Sequence, residues 1–174
     1  MSDVKGEAKL IGNLSRVQAA LVTDQYLRQA GQFVRAAAVL LCPADTGYLR
    51  QSIYLDIKED GDTHSAEIFT NVQYARYVEF GTGMKGAENH SGISPNVTPT
   101  YTMRPWYIHE SQIDPRVAEK YHFHKVYGRN GEVFYECYGQ PAQPFMYPAL
   151  HDNERTVLNI LKGGYENAIR KAIR

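Results

Sequence analysis

Between Leu41 and Ile53 the chain changes its period. Up to Leu41, apolar residues recur at three- and four-residue steps: Ala30, Phe33, Ala37, Leu41. From Ile53 onward they alternate strictly, Ile53, Leu55 and Ile57 against Tyr54, Asp56 and Lys58. The first pattern is one face of a helix and the second is a half-buried strand. Pro43 stands at the change, where it disfavours helical geometry in the residue before it. The expectation is a helix over residues 14–41, with Val17, Leu21 and Leu40 near its stripe and Gly31 a weak point inside it. That helix runs directly into a sheet. Burying a helical stripe against one apolar sheet face makes the chain α+β.

The rest of the chain extends this plan. "EDGD" is a turn, and Ala66, Ile68 and Thr70 mark a returning strand. "QYARYVEFGTG" reads as a short helical turn or strand ending at Gly81. Residues 83 to about 120, with Pro95, Pro99, Pro105 and Pro115, break any period and form an irregular excursion. "YHFHKVYGRNGEVFYECYG" alternates around Asn130-Gly131, which predicts a hairpin with a tight primed turn and positive φ at both central residues. From Met146 onward a last helix carries the stripe Leu150, Val157, Leu158, Leu161, Tyr165, Ala168, Ile169 and Ala172. Gly163-Gly164 either bends it or lets another backbone approach, and Arg170, Lys171 and Arg174 complement its dipole. There is no internal repeat. The expected architecture is a single domain over 1–174. It has two long helices packed on one face of a small antiparallel sheet, and residues 84–140 form a loop and hairpin insertion.

Lys+Arg and Asp+Glu balance at 19 each. A chain that grips phosphates needs excess positive charge, so a nucleic-acid wrapper is disfavoured. Near-zero net charge also does little to keep copies apart. The 13 tyrosines supply ring area with a polar tip, suited to contact surfaces. Two cysteines, Cys42 and Cys137, make no disulfide framework. No apolar run has the length of a signal peptide or of a membrane span, so the expectation is a reducing cytoplasm and no membrane.

Four patterns suggest chemistry. Asp45-Thr46-Gly47 is the triplet of aspartic proteases, where two carboxylates share a proton. A single triplet could serve only in a symmetric dimer, and this one follows a helix and a proline rather than an apolar strand. The plainer reading is a turn, with side-chain oxygens from Asp45 or Thr46 and a permissive backbone at Gly47. His122 and His124, two apart on the expected hairpin, point to one face and could begin a zinc site with Cys137 across the turn, but zinc needs three or four ligands. "FGTGMKG" lacks the phosphate-loop spacing. No serine sits in a nucleophile elbow. The residues imply no catalytic centre, no cofactor and no assigned metal.

Three stretches in order, "CPADTGYLRQSI" after a long helix, "YARYVEFGTG" after a hairpin and "GQPAQPFMYPAL" opening the last helix, resemble the tail-component family of siphophages and related prophages, the head–tail joining or tail-completion (neck) proteins. Asp45, Thr46, Gly47, Leu49 and Ser52 match the first word. Tyr74, Tyr77, Glu79, Gly81, Thr82 and Gly83 match the second. Pro141, Pro144, Phe145, Pro148, Ala149 and Leu150 match the third. The resemblance implies a curved sheet, no catalysis, and a homo-oligomeric ring, often six copies, here a hexamer or dodecamer. It implies a place in the virion neck, reached from the host cytoplasm, between a head-completion or connector protein and the tail tube or tail terminator. DNA would meet the protein only by passing through the lumen. The span between Gly83 and Gln140 is longer than in shorter members of the family.

Within that frame, Asp45-Thr46-Gly47 turns helix into strand, and Phe145 and Leu150 plug the last helix into the sheet. Glu79 either faces water or pairs across a subunit boundary, with water favoured because surface pairs are weak. The excursion 84–120 and hairpin 121–138 are the expected docking elements. Their aromatic residues Trp106, Tyr107, Tyr121, Phe123, Tyr127, Phe134 and Tyr135 are the candidate contacts.

Overall fold

The computed structural model describes residues 11–12, 14–15, 25–61 and 63–173. The expected helix positions 16–24, the side chain of Ala172, and Arg174 lie outside the described residues. The chain forms two compact units, residues 1–71 with 148–174, and residues 72–147.

In unit one, helix α1 (Gln25–Leu41) ends two residues before Pro43, as the sequence requires. A short helix α2 (Tyr48–Gln51) precedes strands β1 (Tyr54–Asp60) and β2 (Thr63–Phe69), which pair antiparallel from Tyr54↔Phe69 to Asp60↔Thr63. Leu55, Ile57, Ala66 and Ile68 share the more protected face. Helix α1 packs on it through Ala30, Gly31, Val34 and Ala38. A Cβ on Gly31 would come within 2.6 Å of a Leu55 methyl, so the close approach depends on the missing side chain. Two arginines tie this junction together. Arg35 Nε donates to the Ile53 carbonyl (2.7 Å) and Arg50 Nε to the Cys42 carbonyl (2.6 Å).

In unit two, α3 (Ala75–Phe80) and α4 (Gly83–Glu88) come first. Strand β3 (Trp106–His109), a 3₁₀ turn at Glu110–Gln112 and helix α5 (Pro115–Lys120) follow. Strands β4 (His124–Tyr127) and β5 (Val133–Cys137) complete a three-stranded antiparallel sheet in the order β3-β5-β4. Helix α5 is set by local chemistry: Asp114 caps the Arg116 amide at 2.8 Å and Pro115 opens the first turn. Helix α6 (Met146–His151) begins in unit two, and α7 (Glu154–Ile173) belongs to unit one.

This architecture corrects the expected one. The class is α+β, but two long helices on one sheet is not the arrangement. Among the described residues there are seven α-helices, only two of them longer than six residues, and two small sheets. Helix α7 packs chiefly on α1. Two strands about 5 Å apart make a ribbon no wider than one helix of about 10 Å, so the hairpin has room for one helix and the second finds its partner in the first. The side chain of Tyr26 lies against Gly164, where a Cβ would overlap its ring, and Tyr26 meets Tyr165 edge-on at 6.1 Å. The glycine pair thus admits a ring and leaves α7 continuous.

Smaller corrections follow. The buried stripe of α1 is Ala30, Gly31, Val34 and Ala38 rather than Ala30, Phe33, Ala37 and Leu41, and Leu40 is 80% exposed. The last helix is broken at Asp152-Asn153 into α6 and α7, and Leu158 is exposed. Leu150 is 51% exposed and plugs nothing, whereas Phe145 is fully buried. The Asn130-Gly131 hairpin forms, but only Gly131 has positive φ there. The Gly131 amide bonds the Gly128 carbonyl and the Gly128 amide bonds the Glu132 carbonyl. That is a type I turn closed by a left-handed glycine, the three-residue alternative to the primed turn. The excursion 84–120 is not wholly irregular, since it contains most of α4, all of β3, the 3₁₀ turn and α5.

Candidate functional site

A six-residue helix has almost no self-supporting hydrogen bonds, because its first four amides and last four carbonyls are orphans. Helix α3 carries the second sequence word, and other segments of unit two supply partners for its orphans. The Tyr77 carbonyl accepts from Gln140 Nε2 (2.9 Å), the Val78 carbonyl from the Gln143 amide (2.8 Å), and the Phe80 carbonyl from the Tyr101 hydroxyl (2.8 Å). Burial around Tyr101 pushes its phenol up, which keeps it the neutral donor this bond needs.

Glu79, in the same helix, does not face water as expected. Its residue is 6% exposed. Its Oε2 accepts from the Phe145 amide (2.7 Å) and the Met146 amide (2.9 Å), and its Oε1 from the Tyr147 amide (3.0 Å). A carboxylate placed on the leading amides of α6 caps that helix from a distant part of the chain, with three charge-assisted bonds. The second and third sequence words are therefore joined by one side chain.

The backbones of the two words also touch. Thr82 and Gln140 form a reciprocal bridge, amide to carbonyl at 2.9 and 3.1 Å. Gly139 makes this possible. It has φ +88°, and a Cβ there would overlap the Thr82 carbonyl oxygen. Any other residue would be strained in its backbone and would push the bridge apart.

Beside this junction lies an open groove of about 680 Å³ lined by Tyr74, Tyr77, Tyr101, Trp106, Thr102 and Gln140 among others. Among the described residues, Arg76 is the only charged one lining it. Its guanidinium sits 4.8 Å over the Tyr77 ring and donates to the Tyr77 hydroxyl at 3.0 Å, which holds the charge at the rim. Gly81, Thr82 and Gly83 also line it. Its chemistry suits a flat or aromatic group accompanied by one anion.

The three-stranded sheet distributes the candidate contact residues over both faces. By register, Tyr107 and Phe134 share one face, and Trp106, Tyr135 and Tyr127 the other. Trp106, Tyr107, Tyr121 and Tyr127 are exposed, Phe123 and Phe134 half-buried, and Tyr135 buried. Glu136 organises the first face. Its Oε1 accepts from the Tyr107 hydroxyl at 3.1 Å and its Oε2 lies 3.5 Å from His124 Nδ1. The bond to Glu136 holds the phenols of Tyr107 and Tyr138 above their ordinary value, since the carboxylate favours the protonated donor.

The first word forms the turn between α1 and α2 in unit one. Thr46 Oγ1 accepts from the Tyr48 amide at 3.4 Å, Gly47 takes φ +82°, Leu49 is buried, and buried Ser52 donates to the Tyr48 carbonyl at 2.8 Å. The triplet thus leads into a short helix rather than directly into the strand, and Asp45 is exposed. His122 lies outside β4 with φ +53°, so His122 and His124 do not share a strand face as expected. Among the described residues no three His, Cys, Asp or Glu side chains form a group that could hold a metal. Both cysteines are buried and neither is in a disulfide.

Of the second word, Tyr74, Tyr77, Gly81, Thr82 and Gly83 line the groove, joined by the contact candidate Trp106. Of the third, Phe145 gives its amide to Glu79, Pro141 and Pro144 lie in the chain between Gln140 and α6, and Pro148, inside α6, accepts from the Asp152 amide at 3.0 Å. Sequence reasoning missed Arg76, Tyr101, Gln140 and Glu136. Gln140 stands at the head of "QPAQPF", and its neighbourhood with that word was the one available signal.

Residues 8–81 match a family model described as "Bacteriophage HK97-gp10, putative tail-component". The family resemblance carried by the sequence words is thereby shown over that span, which includes the first word and nearly all of the second. Neither a curated protein nor a solved structure matches the chain. No described helix is long and apolar enough to cross a membrane.

Proposed function

We propose that this phage tail-component protein is a non-enzymatic ring subunit of the virion neck, joining the head connector to the tail tube. The family match over residues 8–81 is the observation that carries the reading. The chemistry of unit two supports it. Its buried carboxylate is spent on three backbone amides. Its exposed features are rings on a sheet and an aromatic groove, which are contact surfaces. A ring requires one surface of each copy to meet a different surface of the next, closed by rotation. Zero formal charge suits a ring through which DNA passes without being gripped.

The test is particle mass by light scattering with negative-stain images of the same sample, alone and mixed with tail tubes from the same source. The expected result is a closed ring, free or formed on the tube. A strict monomer or dimer that binds neither tubes nor the head connector overturns the reading.

A further inference from the structure

We propose that the outer face of the β1–β2 hairpin of one copy docks in the aromatic groove of unit two of the next copy. This deepens the ring reading and rests on it.

The hairpin has two faces by register. One carries Leu55, Ile57, Ala66 and Ile68 toward α1. The other carries Tyr54, Asp56 and Lys58 opposite Phe69, Glu67 and Ser65. On this outer face Tyr54 and Phe69 form a ring pair at 5.9 Å, and each remains more than two-fifths exposed, at 44% and 42%. A cross-strand aromatic pair of this kind stabilises a sheet most when something covers it. Lys58 and Glu67 neutralise each other in an ion pair. Asp56, two residues from Tyr54, and Asp60, beside the turn, lie on the same face and leave it with two net negative charges. The face therefore offers two rings with one carboxylate, Asp56, next to them.

The groove offers the complement: tyrosine and tryptophan walls and a single guanidinium, Arg76, fixed over Tyr77. Among the described residues β1 and β2 pair only with each other, so each has an edge without a strand partner, the kind of edge a second copy can extend. Hairpin and groove are different surfaces, which makes the contact heterologous, the type that propagates round a ring. The occupant is a second copy of this chain.

The experiment is a charge exchange across the contact, read by light scattering over a concentration series, with and without tail tubes. Asp56→Lys and Arg76→Glu, each exposed and each checked for wild-type unfolding, are each expected to weaken assembly by about ten-fold or more. The double variant restores it to within about three-fold of wild type, since each interface then holds the reversed pair. Phe69→Ser weakens assembly without rescue by either charge change. A second readout uses bis-maleimide cross-linking of chains carrying Asp56→Cys mixed with chains carrying Thr102→Cys, the native cysteines being buried. Cross-linked pairs that form only in the mixture support the contact. Asp56→Cys chains that link mainly to each other would mean hairpin meets hairpin, and overturn it. Rings that form normally in both single variants also overturn it, leaving the ring reading intact. A wild-type protein that assembles neither alone nor on tubes removes both.

Discussion

In unit one most of the backbone is satisfied inside elements of seven to twenty residues, and side chains bond it mainly at the junction of α1, α2 and β1. In unit two the helices and strands are four to six residues long, and side chains must satisfy the backbone instead. Helix α1 runs for 17 residues and gains its hold from small residues set against Leu55 and Ala66. Helix α3, at six residues, is held by Gln140, Gln143 and Tyr101 at its carbonyls and lends its carboxylate to α6. The first kind of stability is spread over many weak contacts and tolerates change. The second is concentrated in a few polar atoms, where one substitution undoes several bonds.

Three substitutions probe that difference, the first expected to be the most damaging. Glu79→Ala leaves three buried or half-buried amides without an acceptor and is expected to destabilise unit two by about 3–5 kcal/mol. Hydrogen exchange would show lost protection at Phe145, Met146 and Tyr147, with the β1–β2 amides as the reference. Unchanged protection at those three amides would dissolve the contrast between the units. Val34→Ala, in the buried stripe of α1, removes two methyl groups from a packed interface and should cost about 1–2.5 kcal/mol in denaturant unfolding. A loss as large as that of Glu79→Ala would show that unit one is as brittle as unit two.

The smallest effect is on titration. Tyr107 and Tyr138 are held above their ordinary value by Glu136, so in the folded protein they stay neutral after an unfolded tyrosine, near pH 10, has ionised. Their contribution to stability is complete below that unfolded value and is lost as pH rises through the raised folded value. Glu136→Gln should bring both phenols down, seen as earlier tyrosinate absorbance on alkaline titration. An unaltered curve would remove Glu136 from its organising role on the sheet face.

The same contrast explains what the sequence could disclose. Pro43, the alternation from Ile53 and the turn near Gly61 placed the α1-to-hairpin passage because they are local and periodic. The stripe of α1 lies about one residue on from the expected one because Gly31 counts as apolar surface only when a neighbour approaches it, and Leu41 stands at the helix end, half exposed. In unit two, elements of four to six residues show no period, so α4, β3 and α5 merged into one irregular stretch. Asn130-Gly131 signalled a hairpin but not its loop, since Gly128 and Glu132 extend the ladder past the point where turn residues are usually counted. Glu79 was the hardest. A glutamate between Val78 and Phe80 looks like a surface charge unless one knows that three amides wait for it at Phe145, Met146 and Tyr147. The words themselves were visible; that Glu79 and the Thr82–Gln140 bridge join two of them was not.

The 66-residue separation between Glu79 and Phe145 has a consequence for the order of events at the ribosome. Chains emerge at about 5–20 residues per second, so the carboxylate waits roughly 3–13 s before its amides exist. During that interval α3 has its charge and its unmet carbonyls in water, and the groove beside it has no Gln140 wall. The surface proposed to receive a neighbour is thus completed only when translation has passed the third word. If copies meet through that groove, a chain truncated before Gln140 would offer its siblings no finished socket.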